Sequence, residues 1–582
     1  MGAAVPRGLS ESRTRSVAVT ALAPRNDRPR RHARVAGLLT SICGGAILLA
    51  LISPLLGERL DWLVRVAAPE VLNGPRGALL IWGVALLLLG RGLTGQRRTA
   101  MAITAVYASC VGIGHALLRN GAGRSLALAA VAVTLIVERD VFVCRLPKDR
   151  LAVVGRGAIV VGCFATLAGF DLWLHRSGIE PALTWRTGGH EFFARFFGFT
   201  GPLTIHGRTQ SWLPVGTTLV GFTVILVVLT RLLRAGPAAA EDPLAREAVR
   251  HLIREKSTDT LDPFALRVDK RYVFGRDGQA ALAYRSILGV GLVGGDPVGE
   301  PESFGHAIDH FLDDCAERGW RPAATGVRED VVPLFRERGL RAMYIGDEAI
   351  IDVDRFSLAG GRMRNVRHAV NRSKNFEVST RHVRQGDLDA DTKRALIGVA
   401  ERWRAHAPEM GFSMALDTLL SDRDPESVIA IADQHGEPIG FQRYVPCKGG
   451  RALSLDAMRR DRHSPNGINE RMIHDTVRWA ADHGFAEVSL NFAAFRRVIE
   501  PVAPGQRRPS SVAIVIAFDR ILPFVKIISL ARFNAKFAPR WEPRYLVYRS
   551  RFDLPAVGLA ALSAEGFLPF DRGRVGQLAL ST

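Results

Sequence analysis

Six stretches of low charge occupy most of the first 230 residues of this 582-residue chain. They constrain what it can fold into more than any other feature. The first, residues 35–56, contains no charged residue. At 1.5 Å of rise per residue it is long enough to cross a ~30 Å hydrocarbon core as a helix. The others centre on residues 77–90, 99–118, 125–137, 157–174 and 211–230. The second, fourth and fifth have short uncharged cores, so flanking arginines must run their stems outward to the interface. Because lipid offers no hydrogen-bond partners, such segments satisfy their own backbone as helices. About six membrane-spanning helices are expected.

The formal net charge of +20, from 77 Lys+Arg against 57 Asp+Glu, invites a nucleic-acid reading. Most of the excess, however, lies before residue 231, in the connections between apolar stretches. The first 34 residues carry eight arginines against Glu11 and Asp27. Arg91, Arg97 and Arg98 follow the second stretch, Arg139, Arg145, Lys148 and Arg150 the fourth, and Arg231 and Arg234 the last. This alternation fits an even number of spans with both termini cytoplasmic, and the net charge is therefore a topology signal. Six cysteines without any C-x-x-C exclude a disulfide scaffold and point away from metal or redox chemistry.

Beyond residue 233 the texture changes. A basic cytoplasmic tail (1–34) and a membrane domain (35–233) give way to a juxtamembrane linker (234–262) containing a short amphipathic helix. Two similar blocks follow. In one, an apolar strand at 280–290 leads through Gly294-Gly295-Asp296-Pro297 to a helix at 303–317, a stop at Gly319 and a strand at 320–327. In the other, a strand at 452–458 leads through a polar loop to a helix at 468–482, a stop at Gly484 and a strand at 485–492. The glycines follow the helix C-terminal rule. A strand–loop–helix–strand order used twice points to a duplicated α/β unit. The expected class is thus a polytopic helical membrane domain followed by a cytosolic α/β domain of duplicated N-acetyltransferase-like fold. Its units are 263–353 and 385–550, with a basic connecting segment at 354–384 and a C-terminal tail at 551–582.

A fold of that type usually grips coenzyme A with a glycine-rich loop before a helix N-terminus. The equivalent loop here, 459–467, has a single glycine, and Pro465 removes a donor, which disfavours coenzyme A. Gly289-x-Gly291-x-x-Gly294 matches a dinucleotide fingerprint only literally, because Asp296-Pro297 interrupts the helix the motif requires. Arg355, Arg362, Arg364, Arg367, Arg372, Lys374, Arg381 and Arg384 form a basic stretch with Glu377 as its one acid. It reads equally as a solvated helix face, a surface on anionic lipid or an RNA footprint. Near the C-terminus Arg532, Lys536, Arg540 and Arg544 interleave with Phe533, Phe537, Trp541 and Tyr545. These aromatics could stack bases, but core positions fit them better.

The segments SLDAMRRDRHSPNGINERMI (454–473) and FNAKFAPRWEPRYLVY (533–548) resemble the C-terminal domain of bacterial phosphatidylglycerol aminoacyltransferases, the multiple peptide resistance factor family. The resemblance extends from about Leu261 to Arg549. It implies transfer of an aminoacyl group, lysyl foremost, from aminoacyl-tRNA to phosphatidylglycerol in the inner leaflet of a bacterial cell membrane. The product is a less anionic lipid that favours resistance to cationic peptides. Exchange of one ester for another needs neither cofactor nor metal. The longer relatives' additional spans and lysyl-tRNA synthetase domain are not read here, so charged tRNA is expected from a separate synthetase. On the family's Asp-x-x-Arg pair fall Asp456, to orient or deprotonate the hydroxyl, and Arg459, to hold phosphate or oxyanion. Glu470 joins them as a catalytic candidate, although a carboxylate in a first helical turn is also a dipole complement. Arg460, Asn491, Lys536 and Arg544 are the candidates for binding substrate. Two other readings remain at this point: a coenzyme A-dependent acyltransferase on a lipid or amine, and a non-enzymatic membrane scaffold or transporter.

Overall fold

The computed structural model describes residues 28–52, 75–117, 122–142, 144, 151–206, 208–236, 238, 240, 242–404, 412, 415–416, 419–494, 496–499, 525–566 and 568. The chain divides into two compact units, Met1–Leu233 and Arg234–Thr582. The basic residues of the first 27 positions and of 145–150 lie outside the described residues.

In the first unit each apolar stretch lies on a helix: α1 (Arg28–Ile52), α2 (Arg76–Thr94), α3 (Arg98–Leu117), α4 (Ala122–Val137), α5 (Leu151–Leu174) and, after an additional short helix α6 (Trp185–Phe196), α7 (Arg208–Leu232). Among the described residues, three windows are long and apolar enough to cross a membrane, Arg76–Thr94, Ala152–Leu174 and Trp212–Leu232, and three shorter helices are also apolar. Helices α1 and α2 approach through glycines seven residues apart on each. A Cβ on Gly44 would lie 2.7 Å from the Gly83 carbonyl oxygen, and one on Gly90 2.6 Å from that of Gly37. Such small-residue seams bring helix backbones close where apolar burial alone gives no preference for one neighbour. Gly90→Leu, which must also displace Ser41, is expected to lower the thermal midpoint of the detergent-solubilised protein by overpacking worth roughly 1–3 kcal/mol. Gly45→Leu, where a Cβ meets nothing within 4 Å, should leave the midpoint unchanged.

The second unit opens with α8 (Pro243–Lys256), the amphipathic helix read from the linker. Asp242 caps it by accepting from the Leu244 and Ala245 amides at 3.0 and 3.3 Å, with Pro243 in the first turn. A 12-stranded sheet follows. Its first half comprises β1 (Arg271–Phe274), β2 (Ala280–Ile287), β3 (Val290–Gly294), the two-residue β4 (Val298–Gly299), helix α9 (Phe304–Arg318), β5 (Arg321–Arg328), α10 (Val332–Glu337) and β6 (Arg341–Asp352). The second comprises α11 (Arg364–Asn375), β7 (Val378–Arg384), α12 (Ala390–Arg404), β8 (Val428–Gln434), β9 (Glu437–Cys447), β10 (Ala452–Arg460), α13 (Ile468–Asp482) and β11 (Glu487–Ala494). The chain closes with α14 (Arg496–Ile499), α15 (Val525–Ala535), β12 (Arg540–Tyr548) and α16 (Leu554–Ala564). The strand order is β1-β2-β3-β5-β12-β6-β11-β10-β9-β8-β7, with β4 on β2.

The duplication is visible in pairing and packing alike. Among the described strands of this sheet the parallel pairs are β3–β5 and β10–β11, and each pair is bridged by a helix, α9 or α13. In α9 the buried positions are Phe304, Ala307, Ile308, Phe311, Leu312 and Cys315. In α13 they are Ile468, Met472, Ile473, Thr476, Val477 and Ala480. Both are the stripe of a helix laid on a sheet. Gly319 and Gly484 follow the helix ends at φ 69° and 79°, the left-handed turn that glycine adopts without a Cβ penalty. The β10–β11 ladder is short, Ala452–Ser454 against Glu487–Ser489, after which the strands splay. This is the N-acetyltransferase-like arrangement expected for the soluble half.

Two expectations change. The apolar run at 280–290 is a hairpin rather than one strand, because Leu288 and Gly289 turn at positive φ. Gly289 therefore belongs to a β-turn and the literal dinucleotide fingerprint has no helix behind it. The segment 551–582, read as a tail, contains α16, whose Val557, Ala560 and Ala564 join a core with Ile287, Leu292 and Leu546.

Candidate functional site

Strand β10 carries three of the expected site residues to three different places. Asp456 sits at a β-bulge: Leu455 pairs with Tyr444 and Ala457 with Arg443, leaving Asp456 unmatched. Bulges re-aim a side chain, and here the carboxylate turns inward. It pairs with the Arg443 guanidinium, both side chains being 1% exposed, and accepts the Leu416 amide at 2.6 Å. Across the splay, Asn491 adopts φ 69° and donates through Nδ2 to the Leu455 carbonyl at 3.0 Å. Thus Asp456 and Asn491 are neighbours at the splay, holding β10 and β11 apart and in register. Arg459 emerges at another place, its guanidinium 4.2 Å from the centre of the Trp403 ring.

Arg460 and Glu470 instead meet at the N-terminus of α13. A cavity of about 570 Å³ is lined there by Arg460, Gly467, Asn469, Glu470 and Lys536, and by His368 and Arg372 from α11. Glu470 accepts from Lys536 Nζ at 2.8 Å. Arg460 donates to the Ser464 hydroxyl at 3.2 Å, which holds the connecting loop. Gly467 caps the helix at φ 102° without any side-chain cap, so the first-turn amides and the positive end of the helix dipole face the cavity. A Cβ on Gly467 would lie 3.0 Å from the Ala369 carbonyl oxygen. Glycine thus lets α11 rest directly against this helix end. Asn469 Oδ1 is buried without a hydrogen-bond partner. The result is a partly open pocket with three cationic side chains, one carboxylate and one unmet acceptor, suited to a phosphate with an adjoining hydroxyl. Among the described residues no cluster of His, Cys, Asp and Glu could hold a metal ion.

His368 and Arg372 were not among the expected site residues, although Arg372 lay in the basic run. Only the packing of α11 on α13 reveals their role. That helix presents Arg364, Asn365, His368, Arg372 and Lys374 to solvent, with Arg362 just before it. Elsewhere in the basic run Arg381 pairs with Asp433 at 2.9 Å and Arg367 donates to the Leu358 carbonyl.

Arg544 is a correction. Expected to bind substrate phosphate, it is buried with 0% side-chain exposure, donates to Asp259 at 2.6 and 2.8 Å and pairs with Glu348. It also reaches the Gly326 carbonyl at 3.2 Å. No phosphate can approach it. Burial pushes Asp259 up, but the charges of Arg544, Arg328 and Lys448 together outweigh burial and hold it at about 2. The neighbouring aromatics are core as anticipated: Phe537 is buried, with Phe533 and Trp541 packed beside it. Arg544→Met strands Asp259 and Glu348, and should destabilise the protein by on the order of 3–5 kcal/mol in denaturant titrations.

The lower part of α13 is fastened to β7 by His382, whose ring stacks on Trp479 at 5.3 Å and contacts the Thr476 hydroxyl at 3.0 Å. Burial lowers its pKa from 6.5 to about 4. The unfolded chain therefore binds the extra proton between these values, and stability contributed at neutral pH is lost as pH falls from 6.5 toward 4. In His382→Phe the unfolding midpoint should depend less on pH across that window, by up to about 1.4 kcal/mol per pH unit.

The α/β fold thus carries a polar, cation-lined cavity at the N-terminus of α13. Residues 250–548, just over half of the chain, match the family described as "Phosphatidylglycerol lysyltransferase, C-terminal", and the chain belongs to that family. It is 32% identical over 574 residues to the lysylphosphatidylglycerol biosynthesis bifunctional protein LysX of Gordonia bronchialis, covering 93% of this chain and 49% of that protein. The LysX of Nocardia farcinica is 31% identical over 584 residues, covering 97% and 51%. The chain thus spans about half the length of the curated relatives it matches. Among solved structures, the C-terminal domain of a putative lysylphosphatidylglycerol synthetase from Agrobacterium fabrum aligns with 56% of this chain and 98% of its own, at 22% identity and a TM-score of 0.49. L-PGS from Bacillus licheniformis aligns with 57% and 98%, at 23% identity and a TM-score of 0.49.

Proposed function

We propose that this chain transfers a lysyl group from lysyl-tRNA to a glycerol hydroxyl of phosphatidylglycerol in the cytoplasmic leaflet, with both termini cytoplasmic. The product carries added positive charge and favours resistance to cationic peptides. The observation that carries this reading is the cavity at the α13 N-terminus, where Arg372, Arg460 and Lys536 surround Glu470. Family membership and the relatives' names support lysyl as the group and phosphatidylglycerol as the acceptor.

In this reading the cations and the first-turn amides of α13 take the lipid phosphate, which brings the terminal glycerol hydroxyl beside Glu470. Glu470 accepts the hydroxyl proton as its oxygen attacks the lysyl ester carbonyl. Lys536, 2.8 Å from Glu470, stabilises the carboxylate beforehand and the oxyanion as it forms. Collapse of the tetrahedral intermediate expels the ribose oxygen, which recovers the proton. The exposed basic face of α11, continuous with the cavity through His368 and Arg372, is the landing surface for the tRNA acceptor end. Asp456, paired with Arg443 and hydrogen-bonded to Leu416, acts as a positioning residue that fixes β10 and thereby Arg460.

Lipid mass spectrometry of cells carrying the gene should show phosphatidylglycerol with one added lysyl mass, absent without the gene. Glu470→Gln and Lys536→Met should each lower that product by roughly 10²-fold or more with an unchanged unfolding midpoint. Asp456→Asn should lower both product and midpoint. Full product in Glu470→Gln and Lys536→Met would remove the cavity from the reaction.

A further inference from the structure

Helix α16, with the sequence LPAVGLAALSA, contains no charged residue. Its inner face, Val557, Ala560 and Ala564, is used in the core. Its outer face is apolar as well: Phe552, just before the helix, is 95% exposed and Leu559 46%, with Pro555 exposed between them. Positions 552, 555 and 559 share one side of a helix. A helix that is apolar all round belongs inside a protein or against lipid, yet no described residue covers this stripe.

Its surroundings are cationic. Arg551 and Arg341 are exposed, and Arg341 pairs in register with Tyr548. Arg321 binds Asp553 at 3.0 Å, neutralising the acid beside Phe552. Arg321 also pairs in register with Val290, two residues after Leu288, itself 50% exposed on the β2–β3 turn. The chain arriving from α7 is held at this same edge, where the Gly236 amide donates to the Arg318 carbonyl at 2.8 Å and Trp320 Nε1 donates to the Gly236 carbonyl at 2.9 Å. By strand register, this edge and the cavity end of β10 lie at one end of the ladder.

We propose that Phe552, Pro555 and Leu559, with Leu288, form a surface that enters the headgroup region of an anionic bilayer, where Arg321, Arg341 and Arg551 meet lipid phosphates. Aromatic and aliphatic side chains ringed by arginine are the composition of interfacial anchors. The charge argues against a second copy as the occupant, since a two-fold contact places this arginine rim against itself. The segment at 234–236 makes lipid the natural occupant, because in sequence it directly follows one of the helices long and apolar enough to span a membrane.

The test uses the full chain in vesicles of phosphatidylcholine and phosphatidylglycerol, with a photoreactive residue introduced as Phe552→p-benzoylphenylalanine or Leu559→p-benzoylphenylalanine. Arg276→p-benzoylphenylalanine, in the exposed turn between β1 and β2 at the opposite end of the ladder, serves as the comparison. Irradiation should give phospholipid adducts by mass at 552 and 559 and none at 276. Arg551→Glu should reduce the phosphatidylglycerol share of the adduct at 559. Absence of lipid adducts at 552 and 559, or adducts joining two copies of the chain, would overturn the proposal. The readout needs no lysyl transfer, so it stands or falls separately from the reaction proposed above.

Discussion

One buried arginine joins the parts of the soluble unit. Arg544 lies on the last strand of the sheet, β12, inserted between β5 of the first half and β6. Its partners are Asp259 from the segment before the sheet, Glu348 on β6 and the Gly326 carbonyl on β5. Ser489 on β11 and Thr260 also donate to Glu348. A lone buried guanidinium would be expelled by its desolvation cost. Here the cost is met by two carboxylates, which fixes the order in which β5, β12, β6 and β11 can assemble. The core on either side of this seam is apolar. The directional charge network spans β5, β12, β6 and β11 and favours a single register across it.

That register places the chemistry. With β11 set by β6, the splay from β10 follows after three residue pairs, and the bulge at Asp456 turns the end of β10 toward α13. Arg443, Asp456 and Asn491 are the polar framework of this bend, while Arg460 and Glu470 are its product at the cavity. Polar side chains from one short motif thus divide into those that shape the backbone and those that line the cavity. The division follows burial: the Asp456 side chain is 1% exposed and that of Glu470 13%.

Much of this was legible in the sequence because it is local. The apolar stripes of α9 and α13, their terminal glycines and the apolar stretches of the first unit are all periodic signals within a few turns. The β2–β3 hairpin was hidden because Leu288 shares its turn with a glycine inside one continuous apolar run. The role of Arg544 was hidden for a different reason: its partners stand 285 and 196 residues away, and no spacing rule reaches that far. Separation in sequence likewise concealed His368 and Arg372, brought to the cavity where Gly467 allows α11 to lie against the start of α13. The two segments that carry the resemblance hold Arg460, Glu470 and Lys536 at the cavity, and Asp456 and Arg544 in buried ion pairs. Burial then separated the residues that hold the fold from those that face the pocket.

The central claim is that phosphatidylglycerol is held at the α13 N-terminus rather than in the splay between β10 and β11. An electron cryomicroscopy structure of the full chain in phosphatidylglycerol nanodiscs tests it most directly. The account predicts headgroup phosphate density within hydrogen-bonding distance of Arg460 and Lys536, with the glycerol end beside Glu470. Headgroup density next to Asp456 and Asn491, with the α13 cavity vacant, would contradict it.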